Sequence, residues 1–278
     1  MTGLLKIDGA DAYTTYGVFP TGDSYAQVLE WPSLKELLIS DWPDQNGIDV
    51  DLSAPVLDSR SLTLSFFTGG QLANIGGLMS ALMNGSYHTL EFPQLGVEHS
   101  LRLISQPSYR SYSNATKHFA LQLADDFPLA GYNYLAPNPT GISATGFKID
   151  NVDLANYGMV VTEGAESEIL KSPGIKQNLL VSIKNKAGVS YDGENVFVKS
   201  KEVEIGLLFR GSMSDFIRNS RALLYNLVKP GQRSFYAGVT GESYGCYYNG
   251  QRVERFLILN NRIWCEFSVS LVFTNKTV

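Results

Sequence analysis

The sequence has little of what an active site or a metal site requires. Its 278 residues include only two cysteines and three histidines. Cys246 and Cys265 are too few for a disulfide framework and do not have a metal-ligand spacing. His88, His99 and His118 do not form a His-Glu-x-x-His arrangement, and no Gly-Lys pair is present for a phosphate loop. We therefore predict no catalytic, cofactor-binding or metal-binding residues, no cofactor and no enzyme activity.

Positive charge and long apolar runs are also scarce. Asp and Glu number 27 against 22 Lys and Arg, for a net charge of −5, and the basic residues do not gather into a run. This balance does not fit a protein that binds nucleic acid through a broadly basic surface. Residues 1–15 have no signal-peptide core, and no segment has the length of a membrane helix. We predict no membrane segment.

The apolar share of 44% is enough for real cores, and the length suits two domains of ordinary size. Residues 131–146 are rich in Gly, Pro and Asn, as interdomain linkers are. The sequence therefore predicts a first domain over 1–130, a linker over 131–146 and a second domain over 147–278.

An internal repeat relates the two predicted domains. Ile7-Asp8-Gly9 near the start corresponds to Ile149-Asp150-Asn151, and Tyr16-Gly17 corresponds to Tyr157-Gly158. After a slip of one residue the offset is 141. At that offset five further identities follow: Lys35 with Lys176, Leu38 with Leu179, Gly47 with Gly188, Asp51 with Asp192, and Ser59 with Ser200. The repeat also duplicates Asp8 and Asp11 as Asp150 and Asp153 beside a turn, where hydrogen bonds to the local backbone are favoured over calcium binding.

The patterns within each repeat indicate strands and one helix. Leu62, Leu64 and Phe66 alternate with polar residues, as do Val203 and Ile205, and this period of two indicates a strand with one buried face. A helical stripe follows in both halves. It runs over Leu72, Ile75, Met79, Leu82 and Met83 in the first and from Met213 to Val228 in the second, with Ser212 or Ser214 as its cap. Asn249-Gly250 indicates a two-residue hairpin.

We therefore expect a mainly β protein with two tandem domains, each a barrel or a sandwich of seven or eight strands with one helix. Residues 33–60 and 174–201 indicate a long hairpin in each domain, with tips near 43–47 and 185–188. Such a hairpin is either an arm that reaches over a neighbouring subunit or an ordinary part of the core.

The second half resembles the distal tail proteins of long-tailed bacteriophages. The resemblance covers residues 147–274 and is carried by short segments in the family's order. These are Ile149 to Leu154, Tyr157-Gly158-Met159, Gly188 to Gly193, Val203 to Phe209, Leu223 to Leu227, Pro230-Gly231, and Phe267 to Phe273. Two such barrels in tandem are closer to the plan of tail hub proteins, in which three chains supply six barrels to a ring.

This resemblance implies a structural protein of a phage or prophage tail tip, within the baseplate region of the virion. The chain would form a trimer with pseudo-sixfold symmetry, or a hexamer, and its ring would join the tail tube to the host-recognition apparatus. The implied partners are the tail tube, the tape measure protein and the receptor-binding apparatus, with DNA only in passage through the channel. The implied location is the virion tail, assembled in the bacterial cytoplasm.

The alternative function is a tandem carbohydrate-binding module. Trp31, Trp42, Trp264 and the 15 tyrosines include aromatic rings of the kind that stack on sugars. Trp264 has apolar neighbours, which indicates burial, whereas Trp31 and Trp42 precede prolines at turn-like places where exposure is expected. The direction of these rings separates the two hypotheses.

Overall fold

The computed structural model describes residues 1–69, 73–112, 116–177, 180–191, 193, 196–259 and 262–274; only the backbone is described at Leu180 and Tyr191. The predicted repeat positions Leu179 and Asp192 and the predicted helix residue Leu72 lie outside these ranges. The described residues are mainly β, which confirms the predicted class. Among them, no helix is both long and apolar enough to cross a membrane.

The strands divide into two sets of the same composition. The first set is β1 (Lys6–Ile7), β2 (Ala10–Asp11), β3 (Val18–Pro20), β4 (Ile39–Ser40), β5 (Asp49–Val50), β6 (Arg60–Thr68), β7 (His88–Phe92), β8 (Val97–Ser111) and β9 (Lys117–Asp125). The second set is β10 (Phe147–Ile149), β11 (Val152–Asp153), β12 (Met159–Val161), β13 (Leu180–Ser182), β14 (Val189–Tyr191), β15 (Lys201–Gly211), β16 (Arg233–Ala237), β17 (Glu242–Leu259) and β18 (Arg262–Phe273).

Each set forms one seven-stranded sheet and one separate pair. The strand order is β2-β1-β7-β8-β9-β6-β3 in the first sheet and β11-β10-β16-β17-β18-β15-β12 in the second. These orders become identical when every strand of the first sheet is replaced by its counterpart in the repeat. The bridge between Leu34 and Leu57 recurs at the predicted offset of 141 as the bridge between Ile175 and Val198. Both sheets are therefore built on one plan, as duplication of a single unit predicts.

The slip of one residue in the repeat lies in a single turn of helix. Asp11 caps the five-residue helix α1 (Ala12–Tyr16), whereas Asp153 caps a four-residue 3₁₀ helix (Leu154–Tyr157) at the same place. Both turns end at a glycine with positive φ, 68° at Gly17 and 69° at Gly158. The tighter 3₁₀ helix therefore absorbs the missing residue without displacing the next strand.

Each sheet is strongly curled, because its two edge strands are neighbours along the chain. In a flat sheet β2 and β3 would lie about 29 Å apart across six strand spacings. The helix α1 that joins them rises only about 8 Å over its five residues. Within the described residues no ladder pairs the two edges directly, so the barrel form predicted here is a curled sheet whose edges are joined by a helical turn.

The prediction of one helix in each half is wrong. The chain contains α1, α2 (Gly22–Leu29), α3 (Ile75–Leu82), α4 (Ala165–Leu170) and α5 (Met213–Leu227) besides the 3₁₀ helix. In α2 the buried side chains include Tyr25, Val28 and Leu29, which pack against the first sheet. The helices α2 and α4 have eight and six residues. Segments this short do not show a helical period that can be told from a strand or a turn.

The predicted cap of α5 is confirmed, since Ser212 accepts a hydrogen bond from the backbone N–H of Asp215 (3.1 Å). The predicted hairpin at Asn249-Gly250 is wrong. Both residues lie inside the 18-residue strand β17, at a bulge between Tyr248 and Gly250. The Asn249 side chain donates to Glu202 on β15 (2.8 Å), so a residue pair typical of turns serves to bend a long strand.

Candidate assembly interface

The duplicated aspartates bind backbone and side-chain donors at the start of each half. Asp8 accepts hydrogen bonds from the Thr89 N–H (2.9 Å) and lies 2.7 Å from His88 Nδ1. Asp150 accepts the equivalent bonds from the Ser234 N–H (2.9 Å) and Arg233 Nη1 (2.8 Å). These carboxylates therefore fasten the opening turn to the sheet. Among the described residues no group of three or more His, Cys, Asp or Glu side chains is arranged to hold a metal ion.

A buried cluster of ionisable side chains contains Arg60, Asp125 and His99. Arg60 Nε donates to Asp125 Oδ2 (3.0 Å), and His99 Nδ1 lies 3.6 Å from the same oxygen. Burial lowers the pKa of His99. Burial by itself would raise the pKa of Asp125, but the neighbouring His99 and Arg60 lower that pKa below its ordinary value. A groove of about 980 Å³ beside them is lined by both halves and also contains Arg221. Arg60 also binds the carbonyl of Glu30, so the set links α2 to the sheet.

The second half contains one sequence pattern that resembles a hydrolase motif, so the expectation that the sequence lacks a Gly-x-Ser-x-Gly pattern is wrong. Residues 241–245 read Gly-Glu-Ser-Tyr-Gly, which matches the Gly-x-Ser-x-Gly elbow of α/β-hydrolases. That motif requires a sharp turn from a strand into a helix. Here Ser243 lies on β17 and pairs with Tyr236 of β16, and all three histidines of the sequence lie in the first half. The pattern is thus part of a β-ladder and not of a strand-to-helix turn.

The two predicted hairpins are present, and the first one lies on the second half of the same chain. We call residues 33–60 the first arm and residues 174–201 the second arm. At the tip of the first arm, the Gly47 N–H donates to the Val198 carbonyl (2.8 Å) and the Ile48 N–H donates to the Thr274 carbonyl (3.1 Å). Near its base, the Leu52 carbonyl accepts from the Gly231 N–H (2.7 Å). The first arm therefore adds backbone hydrogen bonds along the second half.

Lys176 is the polar centre of this contact. Its side chain is only 5% exposed, and its ammonium donates to the carbonyls of Trp42 (2.7 Å) and Gly47 (2.6 Å) at the tip of the first arm. It also lies 2.5 Å from a carboxylate oxygen of Asp41, whose side chain is 58% exposed. A buried ammonium needs such partners, because an unpaired charge in this position would be strongly destabilising. The contact thus depends on one lysine and the turn that surrounds it.

Apolar packing accompanies these polar bonds. Leu52 of the first arm is buried with Tyr247 and Val272 of the second sheet, and Ile48 and Val50 pack against them. At the base of the arm the Trp31 ring lies 5.8 Å from the Phe267 ring, and Tyr248 donates to the Pro32 carbonyl (2.9 Å). This small second core holds the first arm to the second half.

The tryptophans do not form a common binding face. Trp31 is half-buried against the second sheet, where exposure was expected. Trp264 is also partly covered, as expected, and its indole N–H donates to Glu266 (2.7 Å). Trp42 is 52% exposed, but it lies at the tip of the first arm, where its carbonyl binds Lys176. This arrangement does not favour the carbohydrate-binding hypothesis.

The segment predicted as a linker packs along α5. Arg218 donates to the Ala136 carbonyl (2.6 Å), and Asn219 and Asn138 exchange two hydrogen bonds (2.7 and 2.9 Å). Tyr134 lies 4.9 Å from Tyr225 on the same helix. The Gly, Pro and Asn content of 131–146 therefore reflects an extended strap on a helix surface as well as a connection, and the domain boundaries there stay a prediction.

No protein-family model and no curated protein matches the sequence. Among solved structures the chain is similar to the SPP1 Dit (gp 19.1) protein, described as a paradigm of the hub adsorption apparatus in phages that infect Gram-positive bacteria. The match covers 96% of this chain and 97% of that chain, with 11% identity and a TM-score of 0.32. At this TM-score the similarity carries no argument about function.

Proposed function

We propose that this chain is a structural protein of a phage or prophage tail tip. In this proposal several copies form a ring that connects the tail tube to the host-recognition apparatus, with three chains supplying six curled sheets or with six chains. The ring surrounds the passage of DNA, and the chain catalyses no reaction. The tape measure protein, the tail tube and the receptor-binding apparatus are its proposed neighbours.

The observation that carries the proposal is the joining of two like units by an arm. The two sheets have one strand order, and the arm of the first unit binds the second unit through Lys176 and a small apolar cluster. Repetition of a heterologous contact of this kind generates a ring when the rotation closes. The sequence resemblance of residues 147–274 to distal tail proteins supports a ring at the tail tip in particular.

Electrostatics are compatible with a channel that DNA crosses without being held. Each contact between a basic side chain and a phosphate adds salt-dependent affinity, so a conducting ring should avoid a strongly basic lining. The net charge of −5 agrees with that requirement.

Electron microscopy of the purified chain, together with mass measurement, tests the proposal. We expect rings of three or six copies with an open centre, which also bind a phage tail-tube protein. A protein that stays monomeric at high concentration and does not bind adjacent tail proteins would contradict the function. Saturable binding to defined glycans by such a monomer would favour the carbohydrate-binding alternative instead.

A further inference from the structure

We propose that the second arm of one copy binds the first half of the next copy at Lys35, as the first arm binds the second half of its own chain at Lys176. The inference deepens the proposed function, because it rests on the ring and names the contact that closes it. The occupant of the first half is thus a second copy of this chain.

We call the surface around Lys176, which binds the first tip, and the equivalent surface around Lys35 the two receiving sites. Their backbone is the same in both halves. Lys35 and Lys176 correspond at the offset of 141, and the flanking hydrogen bonds are equivalent. These bonds run from Lys35 N to Val56 O (2.9 Å) and from Asp58 N to Ser33 O (2.8 Å) in the first half, and from Lys176 N to Phe197 O (2.8 Å) and from Lys199 N to Gly174 O (2.7 Å) in the second. The two lysine side chains therefore start from the same position on their arms.

The inserting tip is also the same in both arms. The Gln45 N–H donates to the Trp42 carbonyl (3.3 Å) in the first tip, and the Lys186 N–H donates to the Ile183 carbonyl (3.0 Å) in the second. Gly47 and Gly188 both have positive φ, 72° and 83°. The carbonyls of Ile183 and Gly188 therefore stand in the second tip where those of Trp42 and Gly47 stand in the first. Two of the three acceptors of Lys176 are backbone carbonyls. Backbone carbonyls remain when the side chains change, so the second tip keeps both of these acceptors although its sequence differs.

What differs between the halves is that only one site is filled. Lys176 is buried, whereas Lys35 is exposed and its side chain makes no hydrogen bond or ion pair with the residues that the structure describes. Ile48 of the first arm is half-buried against the second sheet, whereas its counterpart Val189 is 60% exposed. Ile175, the counterpart of the half-buried Leu34, is 59% exposed. The second arm therefore carries exposed apolar side chains at the positions where the first arm is partly covered.

The charges around the two sites are exchanged together. The first tip carries acidic residues and binds Val198, which is next to a lysine at the base of the second arm. The second tip carries lysines, and an aspartate stands at the equivalent place at the base of the first arm. The residues concerned are Asp41, Asp44 and Lys199 for the first contact and Lys184, Lys186 and Asp58 for the second. The sign of the charge is therefore reversed both in the tip and at the position of Lys199, while Lys35 keeps the cation of Lys176 and has the carbonyls of Ile183 and Gly188 as its proposed acceptors.

The correspondence also specifies two backbone hydrogen bonds between copies. The Gly188 N–H should donate to the Leu57 carbonyl, as Gly47 donates to Val198. The Val189 N–H should donate to the Asp126 carbonyl, as Ile48 donates to Thr274. Asp126 is the counterpart of Thr274 because Asp125 pairs with Arg60 as Phe273 pairs with Lys201. Beside Asp126 the rings of Tyr87 and Phe127 lie 6.0 Å apart and are 45% and 67% exposed. They provide apolar surface for the second arm.

Engineered cysteine pairs test the contact directly. Asn46 and Val198 are joined by a hydrogen bond from the Val198 N–H (2.9 Å), and Ala187 and Leu57 are their counterparts at the offset of 141. In the full-length chain, Asn46→Cys with Val198→Cys should give a disulfide within one chain. Ala187→Cys with Leu57→Cys should give disulfides between chains, seen as reducible multimers on denaturing gels. Burial raises the pKa of the natural thiols, Cys246 and Cys265, to about 12, so they should not compete.

The single-cysteine variants are the negative controls and should remain monomeric on the same gels. If the wild-type protein forms rings but the pair at 57 and 187 gives no intermolecular disulfide while the pair at 46 and 198 cross-links, the arm contact is wrong and the proposed function stands. If the wild type is monomeric and does not bind other tail proteins, the proposed function is contradicted as well.

A charge variant gives an independent readout. Lys35→Met should weaken self-association by about tenfold or more, since it removes a charged donor from two carbonyl acceptors. Glu36→Gln, at the adjacent exposed position, and Lys35→Arg, which keeps the cation, should change it by less than about threefold. Equal self-association of Lys35→Met and wild type in sedimentation experiments would overturn the assignment of Lys35.

Discussion

Replacement of Lys176 by Met should release the first arm from the second half while leaving both sheets folded. Methionine fills a similar volume but cannot donate a hydrogen bond. The carbonyls of Trp42 and Gly47 would then lose their shared donor, whereas the exposed carboxylate of Asp41 would regain water. The damage is therefore concentrated in the two buried carbonyl contacts.

The expected cost follows from those contacts. Hydrogen bonds to a charged group contribute about 1.5–3 kcal/mol each when buried, and the exposed pair with Asp41 adds at most about 1 kcal/mol. Because the apolar cluster around Leu52 remains, we expect a net loss of about 3 kcal/mol. This corresponds to a rise of roughly 100-fold in the population of the detached arm.

Hydrogen exchange measures this population at the amides that the contact protects. The Gly47 and Ile48 N–H groups donate to the second half, so their exchange should accelerate by roughly the same factor in Lys176→Met. Lys35→Met is the matched control, because it makes the same substitution at the exposed counterpart. In dilute protein it should leave these amides unchanged. Unchanged exchange in Lys176→Met, or equal acceleration in both variants, would refute the role given to Lys176.

Three other outcomes are expected. Burial lowers the pKa of His99 below its ordinary 6.5, so as the pH falls below that value the unfolded chain binds a proton that the folded chain does not. The free energy of unfolding should then fall by up to about 1.4 kcal/mol per pH unit, and His99→Gln should reduce this slope in urea titrations. Cys246 and Cys265 should react with a thiol reagent at pH 8 only after denaturation, and reaction in the native state would show that they are accessible. Gly158→Ala should lower the free energy of unfolding by about 1–3 kcal/mol in the same titrations, because φ is +69° at this position and a Cβ would lie 2.9 Å from Thr140. An unchanged midpoint of urea unfolding would contradict that strain.

The β class and the repeat could be predicted because both depend on local pattern. Alternation along Leu62–Phe66 and Val203–Leu207 shows which face is buried, and the shared Asp and Gly residues place the same turn in both halves. The helix α5 was predictable for the same reason, since its 15 residues include several periods and a serine cap.

The short helices and the bulged strand were not predictable from local pattern. The helix α2 is stabilised by the burial of Tyr25, Val28 and Leu29 against the sheet, and nothing in eight residues reveals that contact. Asn249-Gly250 has the composition of a turn, but its neighbours on β15 and β18 hold it in an extended ladder. Tertiary pairing overrides propensity at both places.

The sequence alone determined that this chain contains one structural plan twice, because strand alternation, capping residues and positive-φ glycines act within a few residues of each other. Only the tertiary structure decided that the two copies are not equivalent in their surroundings. Lys35 and Lys176 occupy the same place in the repeat, yet one is exposed and the other is buried under an arm from the first half. Burial depends on contacts between residues more than 100 positions apart, such as Lys176 with Gly47, and no local pattern records such contacts.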